Sequence, residues 1–105
     1  MEKLVRDYIP AIIERTTGKE PNYYYVDDNR GLLLQFLFKK LQEEVEELLL
    51  AKTDLELVSE MADVYEVMQA ICKEKDLDKD IFEKYASIKR QTNGGFDEHV
   101  ILEDK

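Results

Sequence analysis

Glu43-Glu44-Val45-Glu46-Glu47, followed after twelve residues by Glu60-Met61-Ala62-Asp63, sets acids into two runs whose apolar residues recur every three or four positions. Such spacing makes helices. The first run extends from about Gly31 to Ala51, and its opening half (Leu32, Leu33, Leu34, Phe36, Leu37, Phe38) is apolar around most of the circumference. The second opens at Thr53 with Glu56 three positions on, the Ser/Thr-x-x-Glu pattern of a capping box. It carries Leu57, Met61, Val64, Val67, Met68 and Ile71. So short a connection predicts a tight antiparallel hairpin.

Toward the N-terminus, Leu4, Ile9, Ile12 and Ile13 predict a short amphipathic helix, which Pro10 permits only within its first turn and Gly18 ends. Lys19 to Arg30, with Pro21, Tyr23, Tyr24, Tyr25, Asp27, Asp28 and Asn29, has turn chemistry and no helical period, so a loop with a short extended piece is expected. A fourth helix is expected from Asp78 or Asp80, burying Ile81, Phe82, Tyr85 and Ile88 and stopping at Asn93-Gly94-Gly95. The last ten residues read as a tail with a short extended Val100-Ile101-Leu102. The expectation is one compact, all-α, four-helix domain over residues 1–105. The excess apolar surface of Leu32 to Phe38 calls for a partner subunit, hence a homodimer or homotetramer.

The composition narrows the class of function. A chain of 105 residues with 44% hydrophobic and 37% charged residues has the balance of a soluble globular domain, and no apolar stretch approaches the roughly 20 residues that cross a bilayer. The N-terminal residues mix acids with bases and lack the apolar core of a signal peptide, so a cytoplasmic location is expected. The single cysteine, Cys72, lies among apolar helix positions and reads as core. A formal charge of -9 excludes a nucleic-acid polymer as an expected partner, because binding a polyanion needs a basic surface. An acidic protein that handles phosphates needs a metal ion as intermediary.

The acids have a bland reading as two solvated helix faces. Their positions argue otherwise. Glu44 lies seven, three and four residues from Leu37, Leu41 and Leu48, at the edge of the apolar stripe, and Glu47 is one turn on. Glu60 and Asp63 fall in a row with Leu57, Val64, Val67 and Ile71, on the face that should pack against the first run. No lysine or arginine is expected to serve either pair locally, so their charges look uncompensated, and Asp63→Asn is expected to relieve repulsion when no metal is present. Carboxylates a turn apart on two facing helices supply the hard oxygen ligands that magnesium or manganese prefers.

Glu44-x-x-Glu47 and Glu60-x-x-Asp63 resemble the E-x-x-E, E-x-x-D signature of the all-α NTP pyrophosphatase superfamily, which includes MazG, dimeric dUTPases and phosphoribosyl-ATP pyrophosphohydrolase. Lys3-Leu4-Val5-Arg6-Asp7-Tyr8-Ile9-Pro10 is similar to the K-L-V-R-D-K-I-P opening of a small MazG-like subgroup, with Tyr8 where lysine is usual. Lys89-Arg90 before Gly94-Gly95-Phe96 is similar to its K-x-x-R-G-G-F ending, with Gln91-Thr92-Asn93 interposed. The resemblance implies magnesium-dependent hydrolysis between the α and β phosphates of a nucleoside triphosphate, giving a nucleoside monophosphate and pyrophosphate, often to remove unwanted nucleotides. It implies metal ligands at Glu44, Glu47, Glu60 and Asp63, a catalytic part for Glu43 and Glu44, and substrate contacts from Arg6, Lys89 and Arg90.

Other readings stand beside these. Arg6 also suits an ion pair with Asp7 or a helix end, and Lys89 and Arg90 suit the C-terminal dipole of their helix. Gly94-Gly95 is first a helix stop, His99 a surface residue, and Tyr23, Tyr24 and Tyr25 suit either stacking on a base or packing. Two further functions remain open: a non-catalytic helical dimerisation module, and a specialised phosphoribosyl-ATP pyrophosphohydrolase.

Overall fold

The structure, a computed structural model, describes residues 2–26 and 29–103, so Asp27 and Asp28 of the expected loop lie outside the described residues. Four helices follow in order: α1 (Ile9–Thr17), α2 (Arg30–Leu49), α3 (Asp54–Glu74) and α4 (Ile81–Asn93). No strand occurs among the described residues, and the expected extended pieces near Tyr23 to Tyr25 and at Val100 to Leu102 are irregular chain. Neither has a neighbouring strand to pair with.

Local chemistry explains several of the boundaries. Pro10 sits in the first turn of α1, where its missing N–H costs nothing, and Gly18 ends the helix at φ 77° with its N–H donating to the Glu14 carbonyl. The Asn29 side chain accepts from the Leu32 N–H and starts α2. Thr53 Oγ1 accepts from the Glu56 N–H at 3.1 Å, while Glu56 Oε2 accepts from the Lys52 N–H at 3.0 Å. The capping box therefore forms with its return bond one residue earlier than usual. Gly94, at φ 81°, closes α4.

Among the described residues, α2 and α3 are the one pair of helices packed along their lengths. Each is about 30 Å long, and Leu50 to Thr53 turns the chain between them. Arg30 fixes the open end of the hairpin. Its Nε donates to Glu74 Oε1 at 2.9 Å, and its Nη2 donates to the Glu74 carbonyl and pairs with Asp76 at 3.2 Å. The start of α2 thus meets the end of α3, which makes the hairpin antiparallel.

The core is small. Among the described residues, Leu37, Val67 and Cys72 are the buried hydrophobic ones, in line with the reading of Cys72 as core. The expected inner face of α4 is corrected: Ile81 and Phe82 are half-buried, but Tyr85 and Ile88 are exposed. Phe82 meets α3 edge-on at Tyr65, with ring centroids 5.8 Å apart. Leu57 and Met61 of α3 are also exposed, as are Phe38, Val45 and Leu49 of α2. The radius of gyration is 17.7 Å, against about 13 Å for a globule of this length.

Candidate metal centre and groove

Among the described residues Glu44 is the buried acid, at 7% exposure. Helix geometry sends it inward: Leu37 lies two turns before it on the same side and is also buried, so the stripe that packs against α3 carries a carboxylate into the interface. Burial pushes the Glu44 carboxyl above its ordinary pKa, the Lys40 ammonium pulls it back, and the neighbouring Glu47 raises it further. The net shift is upward. Its charge is under-compensated.

Glu47, one turn on, and Glu60, across the hairpin on α3, bring carboxylate oxygens to the same place, and the three ligand atoms of Glu44, Glu47 and Glu60 lie within 4.8 Å of one another. Glu44 Oε2 and Glu60 Oε2 are both buried without a hydrogen-bond partner. Two orphaned carboxylate oxygens facing a third carboxylate are poorly satisfied by protein groups alone and well satisfied by a divalent cation, so these residues fit a magnesium or manganese ion.

Asp63 behaves differently from the other three expected ligands. It lies outside that close trio, and its Oδ1 accepts a 2.6 Å hydrogen bond from Arg6 Nη2. The expectation that no cation serves the acids is therefore corrected at two points. Arg6 serves Asp63 from the N-terminal segment, and Lys40 lies 3.3 Å from Glu44 and 3.5 Å from Glu43. Lys40 is one helical turn before Glu44, and that i, i+4 spacing was visible in the sequence. The alternative pairing of Arg6 with Asp7 does not form.

A groove of about 1000 Å³ runs along the hairpin beneath residues 4–9. Arg6, Lys40, Glu44 and Asp63 all line it, with apolar walls from Leu33, Leu37 and Val67. Glu44 is shared by the groove and the carboxylate trio, and the cationic side chains of Lys73 and Lys79 line the groove as well as those of Arg6 and Lys40. Lys89 and Arg90 line no part of it. Arg90 instead pairs with Glu83 on its own helix at 3.6 Å. Tyr23 to Tyr25 are exposed and likewise outside the groove.

Four helices whose central hairpin carries E-x-x-E opposite E-x-x-D have the build of an all-α pyrophosphohydrolase of the MazG-like kind. A family model described as phosphoribosyl-ATP pyrophosphohydrolase matches residues 5–90, and the chain belongs to that family. It is therefore an enzyme, a pyrophosphohydrolase acting on phosphoric anhydride bonds. No curated protein and no solved structure matches the chain. No helix among the described residues is long and apolar enough to cross a membrane.

Proposed function

We propose that the chain hydrolyses a nucleoside triphosphate, or a nucleotide built on one, between the α and β phosphates, with magnesium held by Glu44, Glu47, Glu60 and Asp63. The observation that carries this reading is the trio of carboxylates within 4.8 Å, two of them with orphaned buried oxygens. Asp63 is the fourth ligand on the strength of its place in the E-x-x-D pair and on the groove wall.

Magnesium, when bound, supplies positive charge against the phosphate oxygens on which negative charge develops. The chain's own residues do the rest. Arg6 and Lys40 hold phosphate oxygens in the groove, and the apolar wall at Leu33, Leu37 and Val67 limits water around them. Glu43 is half-buried beside Lys40 and accepts the proton of the attacking water. The water oxygen bonds to the α phosphorus, the bond from that phosphorus to the bridging oxygen breaks, and pyrophosphate leaves with the electron pair.

The family match favours phosphoribosyl-ATP as one substrate to be tried beside ordinary and modified nucleoside triphosphates. All of these yield pyrophosphate, whereas a phosphatase yields orthophosphate. A magnesium-supplemented screen that separates the two products tests the reaction. Orthophosphate with a nucleoside diphosphate as the sole products would overturn it. A sharp preference for phosphoribosyl-ATP would make the enzyme a specialised one, and a broad preference would fit removal of unwanted nucleotides.

The working form is a homodimer or homotetramer. Support comes from the small core, the exposed apolar stripes of α2 and α3, and the large radius of gyration.

A further inference from the structure

Arg6 sits on a segment with no regular secondary structure, residues 2–6, laid across the groove. Its guanidinium crosses to α3 and binds Asp63, yet its side chain remains 55% exposed against 33% for Asp63. The bond is short, but its Arg6 side is open to solvent. Lys40, by contrast, is carried on the rigid α2 and only 18% exposed, between Glu43 and Glu44. Lys40 and Arg6 thus differ in freedom: one is fixed to a helix and the other can swing.

Resting on the metal reading above, we propose that Arg6 is an exchange residue, closing on Asp63 while the acid cluster lacks a divalent cation and turning to a phosphate of the nucleotide once the cation takes Asp63. An arginine and a divalent cation on one small carboxylate repel each other, so the two states compete. A planar guanidinium suits two phosphate oxygens as well as it suits a carboxylate, so Arg6 keeps a partner of the same geometry in both states. Metal and nucleotide then help each other to bind, because each draws Asp63 and Arg6 apart, and by linkage the help is equal in both directions.

Manganese binding, read by electron paramagnetic resonance without turnover, tests this. Arg6→Ala binds manganese alone about two- to fivefold more tightly than the unaltered enzyme, the size of one exposed ion pair. Lys3→Ala, which removes the same charge from the same segment without touching Asp63, leaves manganese affinity unchanged. A non-hydrolysable triphosphate analogue tightens manganese binding in the unaltered enzyme, and that gain shrinks in Arg6→Ala. Arg6→Gln gives the same pattern and replaces the alanine variant if a thermal melt finds that one unfolded. Equal effects of Arg6→Ala and Lys3→Ala, or none from either, overturn the exchange while the metal site stands. Failure of the unaltered enzyme to bind manganese removes the metal reading and the exchange together.

Discussion

Arg6 Nη2 lies 2.6 Å from Asp63 Oδ1, a bond between residues 57 positions apart that pins the N-terminal segment onto the second helix of the central hairpin. It changes what the acids of α3 do. An aspartate expected to add repulsion is instead matched by a cation, and the under-compensated charge falls on Glu44.

Asp63→Asn is accordingly expected to lower stability slightly in metal-free buffer, by about 0.2–1 kcal/mol, because it weakens a partly exposed ion pair. A double-mutant cycle with Arg6→Ala, measured by denaturant unfolding, should return a coupling of that size. A clear stabilisation by Asp63→Asn would mean that repulsion dominates after all.

Glu44→Gln should do the opposite. Burial raises the Glu44 pKa, so the folded state prefers the protonated acid; the stability this gives is fully present below the unfolded value and is lost as pH rises through the folded one. In metal-free buffer near pH 7.5 the glutamine variant should therefore melt at a higher temperature. The gain should fade as pH falls toward the ordinary carboxylate value of 4.5. A gain that is independent of pH would place its cause elsewhere.

Glu60→Gln should cut magnesium-dependent pyrophosphate release by an order of magnitude or more, since it removes a charged ligand from the trio. The same substitution should shrink the rise in melting temperature that magnesium gives. Both readings together separate a lost ligand from a damaged fold.

Leu37→Ala should cost about 2–5 kcal/mol, because Leu37 is 4% exposed in a core with few other buried residues. Thermal or denaturant unfolding measures it.

Light scattering at micromolar concentration should give a mass of at least twice 12.4 kDa. Met61→Glu, which puts a charge on the exposed stripe of α3, should reduce it toward one chain. A monomer in the unaltered protein would refute the assembly.

The helices and the acid spacing were legible in the sequence by itself, because both depend on short-range rules. Period 3.6 marked α2 and α3, Pro10 and Gly18 bounded α1, Thr53 and Glu56 capped α3, and Glu44 announced itself by sharing a side with Leu37. Lys40 was within the same reach, because an i, i+4 pair with Glu44 follows from the helix alone. Other features depended on contacts between distant segments. Only the tertiary structure decided that Arg6 meets Asp63, because the irregular segment carrying it has no period from which a destination can be read. The same holds for α4, whose apolar spacing gave a face for Tyr85 and Ile88 but not a neighbour to cover it. A hydrophobic pattern states which side of a helix seeks cover, and the packing of the chain decides whether that cover is found within it.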